Sequence, residues 1–317
     1  SSTLSSKDNW RSLVAHPRRL EQGYGSLSPA IITRCSSFGS LYNPSGGDYN
    51  IRKLTIPIIL EDMKGTFMTI LKILGSANAI SDENHENTHM ALVGKNQTLL
   101  IDCVSNPIVR LQKAAVELDH ITDIILTHFH PDHVSGLPLL LMNMWLLGRQ
   151  MPLNVHGLDY TLERMEKLMG YYDWSSWPNF FSVSFVPIPE QEMSPVLENA
   201  EWRVYASPVR HLIPTIGLRV EFPEANKSLA YSCDTEPCPQ VSRLAEGVDV
   251  LIHESSGNPS LGHSSASQAG EIAQSANAKS LYLIHYPTKI ADSLPAQAAK
   301  TFGGPVDLAQ DLMEFEF

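Results

Sequence analysis

The segment IILTHFHPDHVSG (124–136) places three histidines and an aspartate directly after four residues typical of a buried strand. Polar groups at the end of a core strand must each find a partner, or folding loses several kcal/mol. A divalent cation would supply partners, since zinc binds neutral imidazole and carboxylate groups. His128 and His130 are two residues apart on an extended segment and point to the same side, and the following turn carries Asp132 and His133 to a neighbouring position. One short loop can therefore provide ligands to two adjacent metal ions.

A site for two metal ions needs further ligands, and the ends of later predicted strands provide candidates. His211 lies between two strand-like segments, Asp234 ends the segment KSLAYSCD, and His285 ends the segment SLYLIH. Each residue alone could equally be a hydrogen-bonded histidine or an aspartate that caps a turn. Their repeated occurrence at strand ends, together with the first cluster, favours one shared metal site.

The elements that must position these residues begin at about residue 67. From there, strands rich in β-branched residues alternate with segments whose apolar residues have helical spacing, such as 107–118. Many strands with helices between and after them favour a layered α/β architecture. Residues 1–66 differ, because they are rich in Gly, Ser, Pro and Tyr without sustained periodicity. We predict that they form an irregular N-terminal extension that packs on the core, with one strand at 52–63.

Composition limits the classes of partner. The net charge is −11, with 23 basic and 34 acidic residues, which disfavours nucleic-acid binding. The four cysteines include no CxxC pair, which predicts reduced thiols and a cytoplasmic location. Cys233 precedes a candidate ligand and is expected near the site without binding metal. The longest apolar run, 137–148, is shorter than the ~20 residues that span a bilayer, so we expect no membrane association. Whether a leader was removed before residue 1 is left open.

Seven segments carry a family likeness, namely THFHPDHVSGLP, RHLIPTIGLRV, YSCDTEP, LIHESS, GHSSASQAGEIA, LIHY and GPVDLAQDLMEFEF. Residues 67–317 thereby resemble the metallo-β-lactamase superfamily of hydrolases, and within it the ribonuclease Z (tRNA 3′-endonuclease) branch. The resemblance implies a four-layer αββα sandwich, a catalytic domain over 67–317 and metals held between strand ends. It also assigns the ligands: His128, His130 and His211 to the first metal ion, Asp132, His133 and His285 to the second, and Asp234 to both.

The resemblance implies catalytic roles as well. Asp132 would orient the attacking water and accept its proton, and His263 would protonate the leaving group with support from Glu254. A carboxylate behind an imidazole fixes the tautomer of the ring and raises its basicity. The alternative for His263 is an ordinary loop histidine. His253 is expected to have a core or supporting role. His85 and His89 are expected to lie in a solvated loop, with the alternative that they face the pocket from that loop.

Two departures from that branch bear on the substrate. Bacterial members carry a tRNA-gripping arm between the third histidine ligand and the bridging aspartate, whereas here the interval between His211 and Asp234 is filled by two predicted strands and a PEANK turn. The branch also has a GEGTQ-like stretch where this chain has VSNPIVRLQ after LLIDC. With the acidic net charge, these departures disfavour tRNA as a substrate. Tyr24, Tyr42 and Tyr49 of the N-terminal extension could line a pocket or mediate a dimer, or the extension could simply pack.

We therefore expect a dinuclear metal-dependent hydrolase in which a metal-activated hydroxide attacks a small phosphodiester or related ester. Zinc is the expected metal, with Mn²⁺ or Fe²⁺ as alternatives. Three other functions stay open: hydrolysis of a lactone, thioester or amide at the same site, tRNA 3′ processing, and metal-bound sensing without turnover. The expected partner is a small-molecule ester, and a homodimer is left open.

Overall fold

The computed structural model describes residues 68–256 and 261–317. The predicted N-terminal extension (1–66) and its predicted strand at 52–63 lie outside the described residues and stay predictions. Among the helices of the described residues, none has the length and the apolar character needed to cross a bilayer.

The first of two sheets contains seven strands within the described residues. In order across the sheet they are β14 (Glu314–Glu316), β1 (Ile70–Gly75), β2 (His89–Val93), β3 (Thr98–Ile101), β4 (Ile121–Ile125), β5 (Leu153–Gly157) and β6 (Val183–Pro187). Strands β14, β1, β2 and β3 pair antiparallel, whereas β3 to β6 run parallel. The parallel half needs crossover connections, and helices provide them.

The second sheet also has seven strands in the part of the chain that the structure describes. They are β13 (Val306–Leu308), β12 (Leu281–Ile284), β11 (Val250–Glu254), β10 (Lys227–Tyr231), β9 (Thr215–Phe222), β8 (Arg203–Val209) and β7 (Ser194–Glu198). Strands β7 to β10 pair antiparallel, and β10 to β13 pair parallel. Each sheet therefore joins an antiparallel half to a parallel half.

Helices cover the outer face of each sheet. The helices are α1 (Pro107–Lys113), α2 (Pro131–Val134), α3 (Leu137–Leu146), α4 (Asp159–Tyr171), α5 (Pro239–Leu244), α6 (Ala266–Ser275) and α7 (Leu294–Ala298). One apolar cluster joins α1, α3 and α4 to the first sheet, and another joins α5, α6 and α7 to the second. A third cluster fills the space between the sheets with residues such as Leu92, Trp202 and Leu218. These four layers confirm the predicted αββα sandwich.

The closing segment GPVDLAQDLMEFEF forms two strands in different sheets. Strand β13 pairs with β12, and the chain then turns at Leu312, which has a φ of 67°, before β14 pairs with β1. Asp311 holds this crossing in place, because its carboxylate accepts hydrogen bonds from Ser76 Oγ at 2.6 Å and from Glu86 N at 2.9 Å. The C-terminal segment therefore ties the two sheets together.

Strand β7 was not predicted from the sequence. Its second residue is Pro195, which has no N–H to donate, and the pairing with β8 shifts register between Pro195 and Leu197. Proline in a sheet is found at edges and irregular positions, and β7 is the edge strand of the second sheet.

Strained backbone marks the strand ends that face the site. Asp102 follows β3, Cys233 lies just beyond β10, and His285 follows β12, and their φ values are 62°, 53° and 53°. A left-handed conformation is costly for residues other than glycine, and such residues cluster at functional sites. The strand ends are therefore shaped to present particular side chains.

Candidate metal centre

Three histidines bring their ring nitrogens together at the ends of β4 and β8. The Nδ1 atom of His130 lies 3.0 Å from Nε2 of His128 and 3.1 Å from Nε2 of His211. The ligand atoms of the three residues lie within 4.8 Å of one another, although His211 is remote in sequence from the other two. These are the three residues predicted for the first metal ion.

A second group lies beside the first and contains Asp132, His133 and His285. Nε2 of His285 lies 3.5 Å from Oδ2 of Asp132, and Nε2 of His133 lies 3.7 Å from the same oxygen. The ligand atoms of this group also lie within 4.8 Å of one another. Helix α2 presents Asp132 and His133, and the end of β12 presents His285.

The carboxylate of Asp234 lies between the two groups. Its Oδ2 atom is 3.3 Å from Nε2 of His285 and 3.6 Å from Nε2 of His133. The same oxygen is 3.9 Å from Nε2 of His128 and 4.0 Å from Nε2 of His211. The structure thus brings all seven predicted ligands into one cluster, with Asp234 in the predicted bridging position.

The arrangement fits divalent cations better than hydrogen bonds alone. His211 donates through Nδ1, so its Nε2 is an acceptor, and His130 Nδ1 can donate its one hydrogen to only one of its two neighbouring rings. Among the described residues, buried His133 Nε2 and Asp234 Oδ1 have no hydrogen-bond partner. Imidazole and carboxylate groups are the donors that zinc prefers.

The electrostatics of the cluster also favour cations. Burial lowers the pKa of His128 well below its usual value and lowers those of His130 and His211, so these rings are neutral near pH 7. Burial raises the pKa of Asp234, but His285 and His133 outweigh it, and the net pKa lies well below the ordinary aspartate value. A neutral imidazole at His128, His130 and His211 and an ionised carboxylate at Asp234 are the protonation states in which these groups bind a metal ion.

Asp102 is a functional residue that sequence reasoning missed. Its Oδ2 accepts a hydrogen bond from Nδ1 of His133 at 2.7 Å, and its Oδ1 accepts one from Thr127 N at 2.8 Å. The first contact fixes the tautomer of His133 and leaves Nε2 facing Asp234. The signal was available in the sequence, because Asp102 follows the strand-like run TLLI just as Asp234 follows a strand.

Other ring nitrogens of the cluster are supported from behind. The carbonyl of Gly262 accepts a hydrogen bond from Nδ1 of His211 at 2.6 Å. Sγ of Cys233 lies 3.6 Å from Nδ1 of His128, the ring nitrogen that does not face His130. Cys233 is thus next to the site, as predicted, and it contacts the back of a ligand.

His263 and Glu254 form a pair at the edge of the cluster. Nδ1 of His263 lies 3.2 Å from Oε1 of Glu254, which is fully buried at the end of β11. The same oxygen accepts hydrogen bonds from the backbone N–H groups of Ser264 at 2.8 Å and Thr235 at 3.2 Å. Burial lowers the pKa of His263, but the Glu254 carboxylate outweighs it and the net pKa is raised. His263 is therefore suited to hold a proton beside the metal centre.

The other histidines differ in their placement. His89 was expected in a solvated loop, and this prediction was wrong, because His89 begins β2 and is buried with Nδ1 2.8 Å from the carbonyl of Asn87. His85 does lie in a loop, where Nδ1 contacts Oδ1 of Asp82 at 2.9 Å. His253 is fully buried on β11, which agrees with the expected core role.

A cavity of about 410 Å³ adjoins His211. Its lining combines charged, amide and apolar groups from Arg210, Gln240 and Leu212. Among the described residues, Arg210 forms no ion pair and the buried Oε1 of Gln240 has no hydrogen-bond partner. The volume lies in the range of sites that hold small molecules.

Comparison of the sequence with known proteins identifies a family and many curated relatives, of which one is described here. The family described as "Anti-Pycsar protein Apyc1" matches residues 69–303. Ribonuclease Z of Methanothermobacter thermautotrophicus is 28% identical over 304 residues, which covers 78% of this chain and 97% of that protein.

Comparison of the structures gives matches that cover nearly all of the other chain and more than three quarters of this one. The metallo-β-lactamase fold protein YhfI from Bacillus subtilis has a TM-score of 0.68 and 21% identity, covering 79% of this chain and 100% of that chain. A diphosphatase of the PhnP family has a TM-score of 0.61 and 18% identity, covering 78% of this chain and 98% of that chain. Both likenesses concern the fold.

Proposed function

Because the chain belongs to the family of the Anti-Pycsar protein Apyc1 and is a metal-dependent hydrolase of the metallo-β-lactamase fold related to ribonuclease Z, we propose that it hydrolyses a small phosphodiester. The observation that carries the proposal is the His263–Glu254 pair beside the predicted metal ligands. Hydrolysis of a phosphodiester expels an alkoxide, which needs a proton. A positioned imidazolium supplies one, and removing such a group typically costs about 10²–10⁴ in rate.

We propose that the seven clustered ligands hold two divalent cations, with zinc as the expected metal. Cations bound there would acidify water and neutralise charge that develops on phosphoryl oxygens. Asp132 is partly buried, and its Oδ2 lies 3.5 Å from Nε2 of His285. Its carboxylate would orient the attacking water and accept its proton. His263 would then donate its proton to the leaving oxygen, while Glu254 holds the ring in place.

The size of the site supports a small substrate. The interval between His211 and Asp234 is occupied by β9, β10 and the turn between them, with nothing that resembles an arm for tRNA. The cavity beside His211 has about the volume of a small-molecule site. Arg210 offers a guanidinium without a carboxylate partner among the described residues, which suits a phosphate oxygen.

The names of the relatives favour phosphorus chemistry. Ribonuclease Z is named for cleavage of RNA, whose backbone is a phosphodiester, and the PhnP-family protein is named a diphosphatase. Hydrolysis of a lactone, thioester or amide would use the same cations, but the bond that is cleaved has no phosphate oxygen for Arg210 to bind.

A substrate panel tests the proposal. Purified protein loaded with zinc would be assayed on bis-p-nitrophenyl phosphate, 3′,5′-cyclic nucleotides, a homoserine lactone, a thioester and a pre-tRNA. The proposal expects turnover of the small phosphodiesters above that of the lactone and the thioester. Preferred hydrolysis of the lactone or thioester would contradict it, and efficient 3′ cleavage of the pre-tRNA would contradict the small-substrate assignment. Elemental analysis of the same protein should give close to two metal ions per chain.

A further inference from the structure

A single peptide unit connects a predicted metal ligand to the predicted proton donor. The carbonyl of Gly262 accepts the hydrogen bond from Nδ1 of His211, at 2.6 Å. Gly262 is followed directly by His263, and the rings of His211 and His263 lie edge to face with centroids 4.9 Å apart. The position of this peptide therefore affects both rings at once.

The orientation of the Gly262 peptide has a chemical consequence for His211. Because Nδ1 donates its hydrogen to the Gly262 carbonyl, the lone pair of Nε2 is directed to the side of His130 and Asp234. A shift of the carbonyl would weaken the preference for that tautomer and that ring angle. Groups of this kind behind a ligand typically contribute about 10–100-fold in metal affinity or activity.

Glu236 holds the preceding peptide unit, Leu261–Gly262, which meets the Gly262–His263 peptide at the Gly262 Cα. The N–H of Gly262 donates a hydrogen bond to Oε1 of Glu236 at 3.0 Å. Glu236 is itself fixed, because its N–H donates to the carbonyl of Arg210 at 2.7 Å, next to His211. Glu236 therefore joins three segments that are remote in sequence: the loop before β9, the loop after β10 and the loop before α6.

The space beside Gly262 leaves no room for a side chain. Gly262 has a φ of +84°, and a Cβ atom on it would lie 2.9 Å from Nδ1 of His211 and 3.0 Å from Cγ of Leu212. Only glycine adopts this conformation at this distance without strain. The contact is thus tight enough for a displacement of the peptide to be passed on to His211.

We propose that Glu236 is a positioning residue that acts on both His211 and His263 by fixing Gly262, because it holds the N–H of Gly262 while the Gly262 carbonyl contacts His211 and His263 follows directly. The inference rests on the proposed function. It adds Glu236, which is neither a predicted metal ligand nor a predicted catalytic residue, to the site. The carboxylate acts as a hydrogen-bond acceptor for one N–H, so glutamine can replace it and alanine cannot.

The test compares Glu236→Ala, Glu236→Gln and Glu201→Ala in the full chain. Glu201 is a matched control, because its Oε1 accepts a backbone hydrogen bond from Lys95 N at 2.8 Å in a turn between β2 and β3. Zinc affinity is measured by competition with a chelator. The kinetic constants kcat and KM are measured with a 3′,5′-cyclic nucleotide, whose leaving group is an alkoxide, and thermal unfolding is measured with metal-free protein. We expect Glu236→Ala to lose about tenfold in zinc affinity and in kcat, with KM within about twofold. Glu236→Gln should retain most of both values, and Glu201→Ala should match the wild type.

Two results would overturn the inference. One is wild-type zinc affinity and kcat in Glu236→Ala. The other is an equal loss in Glu236→Gln together with a lower Tm in both variants, which would assign Glu236 a purely structural role. The zinc measurements do not depend on turnover, so they decide the inference even if the wild type hydrolyses none of the phosphodiesters. Failure of the proposed function and failure of the role of Glu236 are thereby distinguished.

Discussion

Asp102 accepts a hydrogen bond from Nδ1 of His133 at 2.7 Å, and neither side chain is exposed to solvent. Burial raises the pKa of Asp102, against the effect of His133. Burial lowers the pKa of His133, but Asp234 and Asp102 outweigh it and raise the net value well above that of an ordinary histidine. The same two carboxylates that favour a proton on His133 would favour a cation beside it.

Replacing Asp102 should weaken metal binding. We expect Asp102→Asn to lower zinc affinity by about 10–100-fold, because the two oxygens of Asp102 accept from Thr127 N and His133 Nδ1, and asparagine keeps only one acceptor oxygen for these two donors. Chelator competition with the purified variant measures the change. Asp123→Asn is a matched control, since Asp123 contacts Nε2 of His156 at 2.8 Å away from the predicted ligands. Wild-type affinity in Asp102→Asn, or an equal loss in the control, would contradict the role of Asp102.

His263→Ala should separate substrates by their leaving groups. A phosphodiester with an alkyl leaving group needs a proton at the leaving oxygen, so its kcat should fall by about 10²–10⁴. A p-nitrophenyl diester has a more acidic leaving group and should lose much less. The two rate constants are measured with protein of equal metal content. A loss of metal in His263→Ala would mean that His263 is a ligand and not a proton donor.

Glu254→Gln should move the pH dependence of kcat. Burial lowers and the Glu254 carboxylate raises the pKa of His263, with a net rise above the ordinary value. A proton donor must be protonated, so kcat falls as the pH rises through this pKa. Removing the negative charge lowers the pKa, and the alkaline limb of the profile should shift to lower pH. An unchanged limb in Glu254→Gln would contradict the assignment of His263.

Arg210→Ala should weaken substrate binding at the cavity beside His211. A hydrogen bond to a charged group contributes about 1.5–3 kcal/mol, which corresponds to a rise in KM of about tenfold or more. We expect kcat to change little, because Arg210 contacts none of the predicted catalytic groups. Steady-state kinetics with a phosphodiester measure both constants. Arg243→Ala serves as the control, since Arg243 is exposed on α5 and pairs with Glu192. An unchanged KM in Arg210→Ala would show that the cavity beside His211 does not bind the substrate.

The sequence predicted the parts of the site that follow local rules. Polar residues that follow apolar strands, such as His128 after β4 of the first sheet and His285 after β12 of the second, are visible in the sequence without a structure. Asp102 obeys the same rule but lies outside the histidine motif. The contact between Glu236 and Gly262 could not be predicted, because it depends on how three distant loops pack. His89 was misjudged since polar neighbours resembled a loop, whereas pairing with β1 makes it the start of a strand.

Acid should destabilise the fold through two buried histidines outside the ligand set. Burial lowers the pKa of His89 and of His253 to about 4, from 6.5 in the unfolded chain. The unfolded state therefore binds more protons between pH 6.5 and 4, so stability is fully present above pH 6.5 and is lost as the pH falls towards 4. Each histidine would contribute up to about 3 kcal/mol to the loss. Denaturant unfolding of metal-free protein at several pH values measures how the free energy of unfolding depends on pH. His89→Gln and His253→Gln should each reduce this slope by an amount that corresponds to about one proton. His120→Gln, at an exposed position, serves as the control and should leave the slope unchanged. Equal slopes in the wild type and all three variants would show that neither buried histidine controls acid stability.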